Sequence, residues 1–315
     1  MGADARKSCV IGGAGFIGAH VTRLLADSGR KVTVLGRRTK PPECLPAGVA
    51  YVSGNYGDRE VLKSVLSGMA EVIDLAYSTV PQASFVDPVF DIVSNIPPSV
   101  VLFEEAVAAN VRRLVFVSSG GTVYGPVDRL PISEEQSANP ISPYGITKLA
   151  IEKYAGMFQR IHNLPVVVVR PGNAYGEEQR PFAGQGFIAT AVHSIIRGEE
   201  VGIYGDTGTI RDYVHVSDIA SAIVAALEKG EEGNIYNIGT GVGLSNINVL
   251  QAIELLASAD GYAMHMKMLP ARKFDVPANV LDSGRLRTAS GWQPKVEFNV
   301  GIERVWRSIV AAITE

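Results

Sequence analysis

The chain is poor in cysteine, with only Cys9 and Cys44 among its 315 residues. That excludes a disulfide framework, and no Cys or His spacing suits a metal, so no metal site is expected. Cys9 lies in an apolar, strand-like run and reads as a small buried hydrophobe. Long apolar runs are missing too: no stretch approaches the roughly 18 residues that a membrane span needs. Nor is there an excess of charge, since 29 Lys and Arg against 32 Asp and Glu leave a net charge of −3, with a pI near 6.0. This balance argues against a nucleic-acid or membrane-surface partner. Any anionic ligand must be met by a few local arginines. Residues 1–7 are mixed in charge and lead into a run that turns straight into glycines, which reads as a core strand rather than a signal peptide. A reducing, cytoplasmic setting is the expectation. Neither an internal repeat nor a low-complexity tract stands out.

An apolar content of 46% and a charged content of 19% are those of an ordinary globular protein. The length suffices for one large α/β domain or two smaller units. Strand and helix patterns alternate through the first half. Strands are predicted at 8–11, 31–35, 49–52, 71–76, 113–118 and 166–170, and helices at 16–28, 58–66, 99–110 and 143–161. The run Val166-Val167-Val168-Val169 is β-branched throughout, as suits a strand buried on both faces. After Arg170, Gly, Pro and Gln accumulate as far as Gly186. Helix patterns follow near 187–197 and 216–228, a strand near 233–238, and a mixture of short helices and loops from Leu244 onward.

Gly12-Gly13-Ala14-Gly15-Phe16-Ile17-Gly18 follows the first strand and opens the first helix. In that place Gly12 permits a tight turn, Gly15 lets backbone approach a pyrophosphate, and Gly18 lets helix pack against strand. The helix N-terminus adds N–H donors and the positive end of its dipole. Together with the alternation, this predicts an α/β fold: a Rossmann-type doubly wound parallel sheet (residues 1–175 and 212–240) with a smaller, discontinuous α+β substrate lobe (residues 176–211 and 241–315). The second strand runs into Gly36-Arg37-Arg38, where a ribose-binding acid normally stands. Two guanidinium groups suit a 2′-phosphate, and so NADP in place of NAD. Equally, they are solvated surface arginines and backbone holds the ribose. Asn55, after the third strand, is either an adenine contact or an ordinary loop residue.

Tyr144 and Lys148 are four residues apart on a predicted helix, so they share one face. An ammonium beside a phenol favours phenolate and makes it a general base for a hydroxyl proton. Chance alone places roughly 0.35 such pairs in a chain of this composition, so the surroundings must carry the reading. About twenty residues upstream, a strand delivers Ser118 and Ser119 to the carboxyl edge of the sheet, where ligands of such sheets bind.

With these residues in view, the chain resembles the extended short-chain dehydrogenase/reductase superfamily, and more narrowly nucleotide-sugar epimerases of the UDP-glucose/UDP-galactose 4-epimerase type. The resemblance runs through the glycine motif, Ser118-Ser119…Thr122-Val123-Tyr124-Gly125, Tyr144/Lys148, Arg170-Pro171-Gly172-Asn173, Arg211-Asp212-Tyr213-Val214-His215-Val216, Asn237-Ile238-Gly239 and Arg272…Asp275-Val276-Pro277. It implies a tightly bound NAD cofactor, contacted by Gly12, Gly15, Phe16, Ile17, Gly18, Arg37, Arg38, Asn55, Tyr56, Leu75, Ala76, Tyr77, Ser118, Tyr144, Lys148 and Pro171. It makes Tyr144 the base for a sugar 4-hydroxyl and gives Lys148 the nicotinamide ribose and the task of lowering the Tyr144 pKa. It puts Asn173, Arg211 and Arg272 on a nucleotide diphosphate, Asp275 on its ribose and Tyr204 on its base. Thr79, after the fourth strand, either faces the sugar or is an ordinary loop hydroxyl, and Gly120 stands at a substrate-facing position. His215, on the same strand as Arg211, matches no catalytic position and reads as structural.

One departure concerns Gly120, because many relatives carry Ser or Thr there and glycine cannot relay a proton. Ser119 is the expected substitute and Thr122 the second candidate. A 4,6-dehydratase would carry Asp-Glu where Gly121-Thr122 stand, and a sugar-acid decarboxylase an acid near 122, so neither reaction is expected. C4 epimerisation of a UDP-sugar and NADPH-dependent reduction of a 4-keto nucleotide sugar remain, with a non-catalytic nucleotide-sensing module as the different-class alternative. The helices predicted at 99–110 and 143–161 resemble the pair that forms a four-helix dimer interface in the superfamily, so a homodimer is expected.

Overall fold

The computed structural model describes residues 6–272 and 275–314. The chain opens with β1 (Lys7–Ile11), α1 (Phe16–Asp27), β2 (Lys31–Gly36), β3 (Ala50–Ser53), α2 (Arg59–Leu66) and β4 (Glu71–Asp74). Next come α3 (Pro81–Val86), α4 (Pro88–Ala108), β5 (Arg113–Val117), the one-turn α5 (Gly120–Val123), α6 (Pro143–His162) and β6 (Val166–Pro171). Then follow β7 (Asn173–Tyr175), α7 (Phe187–Ile196), β8 (Glu200–Tyr204), β9 (Ile210–His215), α8 (Val216–Lys229) and β10 (Ile235–Ile238). The chain closes with β11 (Gly243–Ser245), α9 (Asn246–Ala259), β12 (His265–Leu269), β13 (Ala278–Asn279), α10 (Gly284–Ser290) and α11 (Phe298–Thr314).

Seven strands form one sheet in the order β10-β6-β5-β4-β1-β2-β3, and every pairing in it is parallel. This is the Rossmann-type doubly wound α/β fold. Helices cover both faces and enclose two cores. One holds Val10, Val34, Val115, Val167 and Val169 under α1 and α8. The other holds Cys9, Ile11, Phe103, Phe116, Phe158 and Val168 under α2, α4 and α6. Alternate residues of the same strands therefore feed opposite faces, each fully buried aliphatic contributing roughly 1.5–3 kcal/mol. The order reverses between β1 and β4, and that switch point opens a crevice at the carboxyl edge.

A third core gathers Ile188, Val192, Ile203, Ile253, Ile302 and Trp306 from α7, β8, α9 and α11. Small sheets built on β9 and β8 accompany it. Leu286 and Trp292, counted with the smaller lobe on sequence, pack instead into the first core.

Two expectations need correction. The helix expected at 99–110 begins eleven residues earlier, at Pro88, and runs through Pro97 and Pro98. Proline removes a helical N–H, but the carbonyl freed at Ser94 accepts from Ser78 Oγ at 3.4 Å. The tail beyond Leu244 is also not mainly short pieces: α9 has 14 residues, started by a Ser245/Asn248 capping box, and α11 has 17. Among the described residues no helix is long and apolar enough to cross a membrane.

Candidate active site

A cleft of about 860 Å³ opens along the carboxyl edge of the sheet. One wall is the turn after β1. Gly12 has φ +77°, and a Cβ there would press on the backbone of Leu75 and Ala76 at 3.2 Å. A Cβ on Gly18 would lie 2.2 Å from the Gly12 carbonyl oxygen, so no side chain fits at that position and α1 packs directly against the turn. That helix has no side-chain cap and no acid in its first turn. Its N-terminal amides and positive dipole end thus remain for an anion, and the bare cradle fits a dinucleotide pyrophosphate. Gly15, Phe16, Ile17, Leu75, Tyr77, Ser118, Lys148 and Pro171 line the cleft beside it.

On the next wall, α6 starts at Ser142, whose side chain caps Gly145 N–H. Tyr144 and Lys148 both face the cleft. The Tyr144 hydroxyl has no hydrogen-bond partner among the described residues, and its amide donates to Ser84 Oγ at 3.1 Å. Lys148 is buried. It donates to the Val117 carbonyl at 2.8 Å and lies 4.1 Å from the Tyr77 ring centroid. Burial pushes its pKa down, and the carboxylates of Asp74, Glu152 and Asp91 oppose that. Burial and the Asp91 charge hold the Tyr144 phenol above its ordinary value. This departs from the expectation of a phenol depressed by its neighbour. The ammonium is aimed at Val117 and Tyr77, and desolvation outweighs it.

At the distal end, Tyr204, Arg211, Arg272 and Asp275 line the same cleft. The Arg272 guanidinium stacks 4.0 Å from the Tyr204 ring centroid and clasps Asp275 through two hydrogen bonds of 2.8 and 3.1 Å. Asp275 is therefore engaged by Arg272, with both oxygens taken. Arg211 donates to the carbonyls of Ile210 and Val276. His215 is held between Ser217 and Glu177.

Several sequence candidates lie elsewhere. Arg37 and Arg38 are exposed after β2, and neither lines the cleft, nor do Asn55, Tyr56 and Ala76. Asn55 accepts from Gly57 N–H in its own turn, Tyr56 is buried in the second core, and Ala76 N–H caps the Asp74 carboxylate. Ser118 reaches the cleft, but its hydroxyl is spent on Glu152. Thr79 also lines the cleft, with its hydroxyl given to Asp91.

Gly120 is buried and is not among the residues lining the cleft. A Cβ there would sit 2.5 Å from Leu281 Cδ1 and 2.8 Å from the Arg170 carbonyl oxygen, so packing leaves no room for a hydroxyl side chain. Gly120→Ala is expected to cost roughly 1–3 kcal/mol by overpacking. An unchanged melting temperature would show that Leu281 gives way freely. Ser119, Thr122 and Asn173 do line the cleft, and Thr122 Oγ1 is buried without a hydrogen-bond partner among the described residues.

Sequence reasoning missed Glu152 and gave Arg170 no role beyond its place in a motif. Arg170 forks onto Glu152 through hydrogen bonds of 2.9 and 2.5 Å, both groups buried. The pair lies directly beneath Tyr124, whose ring centroid is 4.7 Å from the guanidinium. The spacing Tyr144, Lys148, Glu152 repeats every four residues along one face of α6, and that was the available signal.

The sequence pattern of the NAD dependent epimerase/dehydratase family matches residues 8–239. The chain belongs to that family. It is 34% identical to a UDP-glucose 4-epimerase of Mycolicibacterium smegmatis over 95% of this chain and 96% of that one. It is also similar to two solved family structures. A UDP-glucose 4-epimerase of Thermotoga maritima, solved with UDP-glucose, is 33% identical with a TM-score of 0.91, covering 98% of this chain and 99% of that one. A UDP-glucose 4-epimerase of Thermus thermophilus, solved with NAD, is 34% identical with a TM-score of 0.89, covering 97% and 99%. The family description names NAD, which is the nucleotide this chain's glycine cradle fits.

Proposed function

We propose that this protein is a nucleotide-sugar C4 epimerase acting on a UDP-sugar through a transient 4-keto intermediate, with a tightly held NAD. The observation that carries this reading is the layout of one cleft: an anion cradle on α1, the Tyr144–Lys148 face of α6, and Arg211, Arg272 and Tyr204 at its far end. A bound nicotinamide supplies a reversible hydride acceptor. Tyr144 takes the proton of the sugar 4-hydroxyl as the ketone forms and returns it once the sugar presents its other face. Lys148 holds the cofactor ribose beside it, Arg211 and Arg272 hold the diphosphate, Asn173 lies between, and Tyr204 stacks on the base. Residues 176–211 and 241–315 act as the substrate lobe, apart from the stretch around Leu286 and Trp292 that packs on the sheet. Position 122 is a threonine and position 121 a glycine, so the acids that dehydration needs are missing.

The test has two parts. Denatured protein is expected to release NAD, read by mass, and the protein is expected to invert C4 of a UDP-sugar, followed by NMR, without added nicotinamide. Release of NADP and strict dependence on stoichiometric NADPH would replace this reading with 4-keto reduction.

Ser119 is proposed to hydrogen-bond the substrate 4-oxygen, in place of the side chain that Gly120 cannot carry. Ser119→Ala is expected to lower kcat by about tenfold or more, since a charge-stabilising donor is lost, and Thr122→Val by less. The reverse order would hand the role to Thr122.

The protein is further proposed to be a homodimer. Helices α4 and α6 pack side by side on one face, where Val89, Phe90, Val93, Tyr154, Met157 and Ile161 are exposed at helical spacing. Large apolar side chains exposed together on two packed helices are a mark of a surface that is covered in an assembly. Light scattering at micromolar concentration is expected to give twice the chain mass of 33.6 kDa, and a monomer would overturn it.

A further inference from the structure

The loop between β4 and α3 places a second phenol in the site. The Tyr77 ring lines the cleft. It meets the Tyr144 ring edge-on, with centroids 4.7 Å apart, and presents its face to the Lys148 ammonium at 4.1 Å. Lys148 is thus gripped from two sides, by the Val117 carbonyl and by the electron-rich face of Tyr77. The Phe116 ring lies farther off, at 5.1 Å, so the direction of the ammonium depends on where Tyr77 is held.

Tyr77 is held by α4. Asp91 and Asn95, one turn apart and both fully buried, are polar residues on the inner side of a helix that is otherwise largely apolar. Asp91 Oδ1 accepts from Thr79 Oγ1 and from Tyr77 Oη at 3.5 Å. Asn95 accepts from Ser78 N–H at 2.8 Å and donates to the Asp91 carbonyl at 2.7 Å. The carbonyl of Ser94, left free by Pro98, takes the Ser78 hydroxyl. Residues 77, 78 and 79 are therefore all pinned to one stretch of α4. Asp91 Oδ2 is buried with no hydrogen-bond partner among the described residues. A buried carboxylate so placed is costly and contributes little to folding.

We propose that Tyr77 and Asp91 are positioning residues for the Tyr144–Lys148 centre: Tyr77 aims the ammonium with its ring face, and Asp91 anchors the Tyr77 loop and sets a negative charge one ring away from the phenol. The inference rests on the epimerase reading of the site. The charged and titratable groups around the phenol are Lys148 on its own helix, Tyr77 on the loop after β4, and Asp91 on α4. Asp74 on β4 and Glu152 on α6 act on it through Lys148. Of these, Asp91 is the acid whose charge raises the Tyr144 phenol. The sign follows: removing that charge favours phenolate and moves the working range of the base to lower pH.

Full-length wild type, Tyr77→Ala, Tyr77→Phe and Asp91→Asn, each with its cofactor bound, are compared in two ways. One is kcat and KM for UDP-glucose across pH. The other is an ultraviolet titration of the Tyr144 phenolate, isolated by subtracting the same protein carrying Tyr144→Phe. Tyr77→Ala is expected to lower kcat by roughly 10- to 100-fold with KM within about threefold, because the reacting groups are misaimed rather than the sugar unbound. Tyr77→Phe keeps the ring but gives up the hydroxyl bond to Asp91, so its kcat should fall between those of wild type and Tyr77→Ala, and a loss as large as that of Tyr77→Ala would overturn the role of the ring face. Asp91→Asn should move both the phenolate midpoint and the acid limb of kcat down by about half a pH unit or more. Tyr77→Phe and Asp91→Asn preserve size, so they remain informative if Tyr77→Ala folds poorly. An unmoved midpoint in Asp91→Asn, or no Tyr144-dependent step in any of the proteins, overturns the proposal, as does unchanged kcat in Tyr77→Ala. Failure of the wild type to turn over any UDP-sugar counts against the epimerase reading alone, and the phenolate midpoint still decides the pair.

Discussion

Tyr144→Phe is expected to lower kcat for C4 epimerisation by roughly 10²- to 10⁴-fold, the range that a positioned general base contributes. The fold and the bound cofactor should survive. The hydroxyl removed has no partner among the described residues, so its loss strands no buried donor or acceptor. The ring is kept, and with it the edge-on contact to Tyr77 and the amide bond to Ser84. Loss should therefore fall on kcat and kcat/KM together, the pattern of an interaction made only in the transition state. Lys148→Met offers the contrast. It removes the group proposed to hold the ribose, so cofactor content measured by mass should fall along with rate. If Tyr144→Phe retained activity within about tenfold, another base would be at work, and Tyr77 would be the first to test.

The doubly wound sheet was legible because its signals are local: β-branched runs for buried strands, a glycine turn between strand and helix, and a four-residue spacing on one helix. The cleft residues that depend on those signals, Gly15, Lys148 and Tyr144 among them, are where the sequence pointed. What escaped depends on distance through space. Gly120 looked like a missing hydroxyl, and only the approach of Leu281, some 160 residues later, shows that no side chain fits there. Arg37 and Arg38 left two readings open, phosphate ligands or solvated surface arginines, and their exposure outside the cleft agrees with the second. Helix α4 was cut short at its proline pair, since propensity argues for a break there. Tertiary bonds from the Ser78 amide and hydroxyl to Asn95 and the Ser94 carbonyl of that turn overrule it. With the missing first half of the helix went Asp91, and so the anchor of the Tyr77 loop.

Glu152→Ala is expected to be the most destabilising of these changes, at about 3–5 kcal/mol. Arg170 lies at the end of β6 and is 4% exposed. Its charge is met by both oxygens of Glu152, and Ser118 donates to the same carboxylate. Truncating the acid leaves a buried guanidinium and a buried hydroxyl without their acceptor, which costs far more than the net worth of the pair. The double change Glu152→Met with Arg170→Met removes both charges at similar volume, and should recover much of the loss in a urea titration. If the double variant proved as unstable as the single, the cost would lie in packing beneath Tyr124 and not in the stranded charge. The same variants bear on the reaction. Glu152 stands one turn beyond Lys148 and ties α6 to the end of β6, next to Pro171, which lines the cleft. A stable double variant with reduced kcat and near-normal KM would show that this ion pair fixes where α6 presents its base, a function that a purely apolar contact does not replace.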